Sequence, residues 1–213
     1  MRLDERGIKD SLIAGEQERL CELVRGALED GDSAKAILDV MIEGMSVVGD
    51  RFQRKEIFIP EVLLSARAMT SATDILKPIL AKSGSKPFGK VIIGTVLGDL
   101  HDIGKNIVGM MLEGNGFEVI NLGRDVAPEK FVETAKESGA RVIGLSSLVT
   151  TSMPQMRRTI DLLRQEGLDG SVAVMVGGAP VTQEFADSIG ADGYADDAPG
   201  AVQKAKEFLQ VEQ

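Results

Sequence analysis

The feature that most constrains the fold is a change in hydrophobic period near residue 83. In residues 1–82, apolar side chains recur at the three-to-four-residue spacing of amphipathic helices. From residue 90 onward, short runs rich in β-branched residues alternate with helical stretches. Such alternation predicts an open parallel sheet with helices on both faces. The chain is therefore expected to combine an all-α part with an α/β part.

The first part is expected to form a four-helix bundle, because short connections favour antiparallel neighbours. Its helices are predicted at Leu3–Ile13, Glu16–Leu28, Ala36–Phe52 and from Pro60, a residue suited to a first helical turn. Residues 83–89 (SGSKPFG) have the composition of a linker. The predicted organisation is a helical-bundle cap domain at residues 1–82, this linker, and an α/β domain at residues 90–213.

The second part is predicted to be a Rossmann-like, flavodoxin-like domain with five strands, at Lys90–Val96, Val119–Leu122, Val142–Ser146, Val172–Val176 and Gly193–Ala195. The strands are almost continuously apolar, which is typical of parallel sheets covered on both faces. Helices are predicted between them and after the last, at Gly104–Asn115, Pro128–Ser138, Pro154–Glu166, Val181–Ser188 and Pro199–Leu209. Ligands of such sheets bind beyond the carboxyl ends of the strands.

Composition narrows the functional classes. The 213 residues carry a formal net charge of −9 without a Lys/Arg cluster, so nucleic acid is not an expected partner. Cys21 is the only cysteine, which excludes an intrachain disulfide and fits a cytoplasmic location. Its neighbours Leu20 and Val24 predict a packing role for Cys21. No apolar run approaches the roughly 20 residues that a membrane span needs, so no membrane association is expected.

The loop after the first predicted strand, GDLHDIGKN at residues 98–106, contains His101, the only histidine of the chain. It is not a nucleotide loop. Its glycines do not match the G-x-G-x-x-G spacing. Five residues separate Gly98 from Gly104 where a P-loop has four, and Asn106 replaces the hydroxyl that would hold magnesium.

Two interpretations of His101 remain open on residue types alone. A single loop histidine is more commonly a hydrogen-bonded surface residue, with Asp99 and Asp102 as helix caps. Alternatively, one imidazole can ligate a metal whose other positions are filled by a macrocycle, whereas a structural zinc site needs about four protein ligands. Asp99 could then accept the second ring N–H and orient the imidazole. Gly98 and Gly104 would let a bulky cofactor approach the backbone.

The loop resembles the Asp-x-His-x-x-Gly signature of cobalamin-binding domains, as Asp99-x-His101-x-x-Gly104. Two further elements of that family follow in order. Ser146-x-Leu148 ends the third predicted strand, and Gly177-Gly178 ends the fourth. The resemblance implies that the chain binds cobalamin, that His101 is the lower ligand of the cobalt, and that Gly98, Asp102, Ile103 and Gly104 line the cofactor.

The resemblance also implies roles for later residues. Gly177 and Gly178 would line a slot for the detached nucleotide tail, where a Cβ would collide with it. Ser146, Leu148 and Thr150 would contact the cofactor there. In methionine synthase-like members a serine six residues after the Ser-x-Leu serine completes a His–Asp–Ser chain, and Ser152 occupies that place, with Thr150 and Thr151 close enough to compete.

The first part resembles the helical cap of methionine synthase and of the corrinoid proteins of methylotrophic methyltransferases. The matching stretch is residues 52–69, FQRKEIFIPEVLLSARAM. In that family the cap covers the methyl group on the upper face of the cobalt. The resemblance implies that Phe58, Val62 and Leu63 supply apolar contacts there. For any one of the three, an ordinary place in the bundle core is the competing interpretation.

The resemblance implies a non-catalytic carrier that takes a methyl group on cobalamin, as methylcobalamin, between two partners in one-carbon metabolism. One partner is a substrate-specific methyltransferase subunit. The other is a methyltransferase that passes the methyl group to tetrahydrofolate or a thiol. A reductive activator would restore oxidised cobalt. The alternatives are a cobalamin-binding regulator, which usually adds a basic DNA-binding segment, and a mutase subunit, which needs no methyl-capping bundle.

Overall fold

The computed structural model describes residues 3–83 and 87–211, and within these residues the chain folds into nine helices and five strands. The first four helices are α1 at Glu5–Ile13, α2 at Gln17–Glu29, α3 at Ala34–Gln53 and α4 at Ile59–Ser83. Helix α4 begins one residue before the predicted Pro60, because the Phe58 N–H donates to Oε2 of Glu61 at 3.1 Å. Glu61, the third residue of α4, thus caps the start of the helix with its side chain.

The predicted four-helix bundle is confirmed. Helix α1 packs against α2 and α3, and α4 packs against α2 and α3. The helices bury large apolar side chains at the predicted spacing, among them Ile8, Leu12, Leu20, Ile37, Met41, Met45, Met69 and Leu76. Cys21 is buried with Leu20 and Val24, as its apolar neighbours predict.

The remaining elements alternate strand and helix, as predicted. The strands are β1 at Lys90–Thr95, β2 at Glu118–Asn121, β3 at Val142–Ser146, β4 at Ala173–Gly177 and β5 at Gly193–Ala195. The helices are α5 at Ile103–Gly114, α6 at Pro128–Ser138, α7 at Pro154–Gln165, α8 at Gln183–Ile189 and α9 at Ala198–Leu209. Observed and predicted ends differ by at most two residues, where helix caps and strand register decide the boundary.

The sheet is parallel throughout, with strand order β2-β1-β3-β4-β5. The chain leaves β1 towards β2 on one side and leaves β3 towards β4 on the other. The loops that follow β1 and β3 therefore diverge at neighbouring strand ends. In this topology the resulting crevice is the usual ligand site.

Strand β1 is buried on both faces because its side chains alternate between two helical layers. A Cβ on Gly94 would lie 2.6 Å from the ring of Phe131 in α6. On the other face, a Cβ on Gly109 of α5 would lie 2.7 Å from Cδ1 of Ile93. The two glycines therefore let α6 and α5 pack closely against the opposite faces of β1.

The chain divides into two compact units. One contains the described residues up to Pro87 together with Glu113–Gly116, and the other contains Phe88–Leu112 and the chain from Phe117 onward. Of the predicted linker, residues 84–86 lie outside the described residues, while the Gly89 carbonyl accepts from the Glu118 N–H at 2.9 Å. The predicted domain boundaries stay a prediction. Within residues 3–83 and 87–211, no helix has both the length and the apolarity to cross a membrane.

Candidate functional site

The loop after β1 leaves the strand through a tight turn. The Asp99 N–H donates to the Val96 carbonyl at 3.1 Å, and Gly98 is the third residue of this turn with a φ of 83°. Residues other than glycine rarely adopt this backbone conformation, so a glycine suits the position. The turn brings Asp99 under the loop, where only 1% of the residue is exposed.

Two further residues hold this loop in place. The buried hydroxyl of Thr95, the last residue of β1, donates to the His101 carbonyl at 2.8 Å. Asp125, in the segment after β2, accepts from the Gly98 N–H at 2.7 Å and donates its own N–H to the Asp99 carbonyl at 3.0 Å. Neither residue was singled out by the sequence motifs, since neither belongs to them.

The side chains of Asp99 and His101 meet directly. Oδ1 of Asp99 lies 2.8 Å from Nδ1 of His101. It also accepts a hydrogen bond from the backbone N–H of His101 at 3.0 Å. The carboxylate therefore favours the tautomer that carries its proton on Nδ1. Nε2, across the ring, is left as the lone-pair nitrogen of a side chain that is 56% exposed.

The second oxygen of the carboxylate joins the loop after β3. Oδ2 of Asp99 accepts from the N–H groups of Leu148 at 2.6 Å and Val149 at 3.2 Å, and from the Ser152 hydroxyl at 3.2 Å. Burial raises the pKa of Asp99, but hydrogen bonds from His101, Leu148 and Val149 outweigh it and hold this pKa well below its usual range. Asp99 is thus a fixed negative charge beside the imidazole.

Among the hydroxyls that compete for this position, the structure selects Ser152. Its side chain is buried at Asp99, whereas Thr150 and Thr151 are exposed. The structure also brings in Ser147, whose Oγ lies 2.7 Å from Oγ of Ser152 and 3.4 Å from Oδ2 of Asp99. Sequence reasoning missed Ser147 because it is the unspecified middle residue of Ser-x-Leu.

Gly177 and Gly178 are required by the packing of the protein itself. A Cβ on Gly178, which has a φ of 129°, would lie 1.9 Å from the Ser147 carbonyl oxygen. A Cβ on Gly177 would lie 2.7 Å from the Ala195 carbonyl oxygen. These collisions occur without a ligand, so they differ from the collision with a nucleotide tail that the resemblance implies. Ser146 precedes this contact as the last residue of β3 and is half-buried.

The loops after β1 and β3 expose three large apolar side chains, which form an apolar rim. Leu100, Ile103 and Leu148 are all exposed, although large apolar side chains are ordinarily buried. A Cβ on Gly98 or Gly104 would meet no atom within 4 Å, so both glycines border open space. Asp102 is half-buried and caps α5, where its carbonyl accepts from the Asn106 N–H at 2.8 Å.

These residues fit a metal held by a macrocycle. Within the described part of the chain, no group of three or more His, Cys, Asp or Glu side chains could hold a metal ion. The site offers one oriented imidazole, an apolar rim and two glycines beside open space. A planar apolar ligand that brings its own equatorial donors matches that donor set, since a protein-only metal site would need further ligands.

A buried cation lies at the start of α5. Only 4% of Lys105 is exposed, and its Nζ donates to the side-chain oxygens of Asn106 at 2.5 Å and Asn121 at 2.8 Å. Burial lowers the pKa of Lys105, while the charge of Asp102 raises it. No local pattern signals this burial, because Asn121 is brought to Lys105 by the pairing of β1 with β2.

The three predicted cap residues lie in the helical unit with different exposures. Phe58 is 64% exposed, Leu63 is half-buried and Val62 is only 1% exposed. Val62 therefore packs in the bundle core, which is the alternative that the sequence left open for these residues. The ring of Phe58 is accessible. Their roles towards a cofactor stay a prediction.

Comparison with known proteins agrees with this site. Residues 89–203 match a family described as "B12 binding domain", and residues 5–77 match a second family with the same description. Dimethylamine corrinoid protein 3 of Methanosarcina acetivorans is 45% identical over 202 residues, which cover 95% of each chain.

Two solved structures have the same fold. One is a novel cobalamin-binding protein from Desulfitobacterium hafniense, with a TM-score of 0.83, 33% identity and coverage of 97% of this chain and 99% of that one. The other is a chain of the methanol:cobalamin methyltransferase complex MtaBC from Methanosarcina barkeri, with a TM-score of 0.85, 30% identity and coverage of 98% and 80%.

Proposed function

The chain belongs to the B12-binding domain family, and we propose that it is the corrinoid protein of a methyltransferase system, which carries a methyl group on the cobalt of cobalamin. The single observation that carries this proposal is the His101–Asp99 pair, an exposed imidazole oriented by a buried carboxylate at 2.8 Å. When bound, the cobalt supplies the methyl-transfer chemistry, and the protein orients and tunes it.

In this proposal His101 ligates the cobalt through Nε2. Asp99 holds the Nδ1 proton and so keeps Nε2 as the ligating nitrogen. The same carboxylate would keep the ring oriented towards the metal through its 2.8 Å contact with Nδ1. Ser152 donates to Oδ2 of Asp99 at 3.2 Å and steadies the carboxylate.

The proposed cofactor contacts are spread over three loops and the cap. Gly98 and Gly104 leave room at the lower face, and Ile103 and Leu148 would be covered by the macrocycle. The other members of the proposed set are Asp102, Ser146, Thr150, Gly177 and Gly178, with Phe58 and Leu63 from the helical unit. Phe58 is the strongest of the cap residues, since its ring is exposed and Val62 is buried.

The chain is a carrier in this proposal, and catalysis on the methyl donor belongs to a partner methyltransferase. The relative from Methanosarcina acetivorans is named a dimethylamine corrinoid protein, so a methylamine is the donor class that we propose. A second methyltransferase would remove the methyl group to tetrahydrofolate or a thiol, and a reductive activator would restore oxidised cobalt. We place the protein in the cytoplasm, where its single cysteine would stay reduced. The names of its relatives favour a carrier over a cobalamin-dependent sensor.

The proposal is tested by reconstitution with methylcobalamin. Wild type should bind the cofactor and give the absorption spectrum of cobalamin whose benzimidazole is replaced by histidine. His101→Ala should still bind through the apolar rim but give the spectrum without an axial base. Identical spectra for the two proteins would contradict the ligand assignment. Incubation of the reduced holoprotein with a dimethylamine-specific methyltransferase and dimethylamine then tests the donor class, with methanol and its methyltransferase as the comparison.

A further inference from the structure

Ser147 is a buried hydroxyl outside the proposed His101–Asp99–Ser152 chain. The residue has no exposed surface. Its Oγ lies 2.7 Å from Oγ of Ser152, 3.0 Å from the Val149 carbonyl and 3.4 Å from Oδ2 of Asp99. Ser152 reaches the same two acceptors, Val149 at 2.9 Å and Asp99 at 3.2 Å. The two hydroxyls therefore share one set of partners.

The two serine hydroxyls can arrange their donor protons in several ways. Each serine hydroxyl donates one proton and accepts through its lone pairs. Either hydroxyl can donate to Asp99 while the other donates to the Val149 carbonyl, or Ser147 can donate to Ser152 while Ser152 donates to Asp99. In the last arrangement each bond polarises the next, which strengthens the chain. In each of these arrangements one hydroxyl donates to the carboxylate. The remaining arrangements, in which one serine donates to the other and that one to the Val149 carbonyl, give up a charge-assisted bond to Asp99 and are less stable.

The backbone of Ser147 holds its side chain in this position. Its N–H donates to the Gly177 carbonyl at 3.1 Å, which continues the pairing of β3 with β4 by one residue. Its carbonyl oxygen occupies the space where a Cβ of Gly178 would otherwise lie. Ser147 is thus fixed between β4 and Asp99, and its hydroxyl has no route to solvent.

We propose that Ser147 is a second positioning residue for the cobalt ligand, able to take over from Ser152 as the hydroxyl that holds Asp99. This inference rests on the proposed function. Its consequence is that the two serines are redundant: removal of either leaves one donor at Oδ2 of Asp99, and only removal of both leaves the carboxylate to its backbone donors. A carboxylate with fewer donors is a stronger acceptor for the Nδ1 proton of His101, so the imidazole becomes a stronger ligand.

The first test needs no cofactor, because His101 is the only histidine and gives a single set of imidazole signals. Protein with ¹⁵N-labelled histidine is compared for wild type, Ser147→Ala, Ser152→Ala and the double variant. The Nδ1 proton resonance of His101 should move downfield slightly in each single variant. In the double variant it should move by more than the sum of those two shifts. Thr159→Val is the control, since Thr159 is a buried hydroxyl that donates only to the Gln155 carbonyl of its own helix, at 2.8 Å.

The second test uses the cobalamin-loaded protein. The ratio of histidine-ligated to unligated cobalamin is measured from the absorption spectrum of each variant. Each single variant should change the ratio modestly, and the double variant should exceed the product of those changes by roughly fivefold or more, as expected for coupled neighbours. Ser147→Cys, which keeps a weak donor in place, should lie between wild type and Ser147→Ala, and it carries the test if Ser147→Ala does not fold.

Two results would overturn the proposal. One is a double variant that cannot be distinguished from Ser152→Ala. The other is a double variant whose shift, measured against the Thr159→Val control, is no larger than the sum of the two single shifts. If wild type bound cobalamin without histidine ligation, the proposed function would fail, and the imidazole resonances of the apoprotein would still decide whether Ser147 holds Asp99.

Discussion

Nδ1 of His101 lies 2.8 Å from Oδ1 of Asp99, and the other oxygen of the same carboxylate accepts from the loop that follows β3. One buried carboxylate thus connects the loops that follow β1 and β3. These two strands are neighbours, and the chain continues from them towards opposite edges of the sheet. The position of the imidazole is therefore set by the sheet topology as much as by the short motif that contains it.

Asp99→Asn should destabilise the apoprotein by roughly 1–3 kcal/mol, the usual cost of a buried group left without its partner. Both carboxylate oxygens accept from N–H groups, Oδ1 from His101 and Oδ2 from Leu148 and Val149. Whichever way an asparagine turns, its NH₂ group meets donors. The urea midpoint of unfolding measures the loss.

The matched control for this substitution is Asp161→Asn. Asp161 is an exposed residue of α7 whose carboxylate lies 3.7 Å from the Arg164 guanidinium. Its replacement should change the free energy of unfolding by no more than about 0.5 kcal/mol. Equal stability of the Asp99 and Asp161 variants would contradict the role given to Asp99.

Asp125 should be needed both for its acceptor and for its backbone conformation. It has a φ of 56°, which asparagine and aspartate tolerate and alanine does not. Asp125→Asn keeps a carbonyl oxygen for the Gly98 N–H and should be nearly neutral. Asp125→Gly loses the acceptor at a cost of about 1 kcal/mol, and Asp125→Ala adds about 1–2 kcal/mol of backbone strain. The unfolding midpoint and the cobalamin affinity should both decrease in the order Asp125→Asn, Asp125→Gly, Asp125→Ala. Any other order would contradict the role given to Asp125.

Gly178 and Gly104 should respond in opposite ways to alanine. Gly178→Ala drives a Cβ against the Ser147 carbonyl and should cost about 3 kcal/mol or more, with or without cofactor. Gly104→Ala places a methyl in open space near the start of α5 and should stabilise the apoprotein by up to about 1 kcal/mol. It should nevertheless weaken cobalamin binding, which equilibrium dialysis measures. Wild-type affinity in Gly104→Ala would exclude this glycine from the cofactor site.

The buried ammonium of Lys105 should make stability rise with pH. Its pKa is lowered in the folded protein, chiefly by burial, so the unfolded chain binds this proton more tightly. The free energy of unfolding therefore gains a contribution as pH rises towards the ordinary lysine value of about 10.4. Lys105→Met removes the titration, so wild type should gain stability over this variant as pH increases.

Lys130→Met is the control for that experiment. Its hydrogen bond and ion pair with Glu133 raise the pKa of Lys130, so its removal should give wild type no comparable gain in the same pH range. Urea midpoints at a series of pH values measure both differences. Parallel curves for wild type and Lys105→Met would show that the amides around Lys105 compensate its burial.

Much of the fold follows from local patterns. The β-branched runs predict β1, β2, β3 and β4 to within one residue, and prolines near helix starts place α6 and α7, because these signals act through neighbouring residues. The His101–Asp99 contact was also predictable, since two residues of extended loop bring both side chains to one side. The resemblance to methionine synthase pointed to Ser152 but left Thr150 and Thr151 as competitors, and the contact between Ser152 and Asp99 distinguishes them.

The rest depends on contacts between residues far apart in sequence. Ser147 follows β3 and so lies beside Asp99, which is 48 residues earlier in the chain. Asp125 reaches Gly98 because its segment follows the neighbouring strand β2. The requirement for Gly178 arises from the carbonyl of Ser147 and is invisible in the glycine itself. No local pattern encodes these relationships, because they are set by the order of strands in the sheet.

Electron paramagnetic resonance of the cobalt(II) holoprotein would show whether His101 is the nitrogen ligand of the cobalt. Because His101 is the only histidine, ¹⁵N-histidine labelling alters a single imidazole in the chain. If His101 is the ligand, the superhyperfine triplet from a ¹⁴N ligand should become a doublet in the labelled protein. A triplet that persists after labelling would mean that a nitrogen of the cofactor holds the cobalt and that His101 is not its ligand.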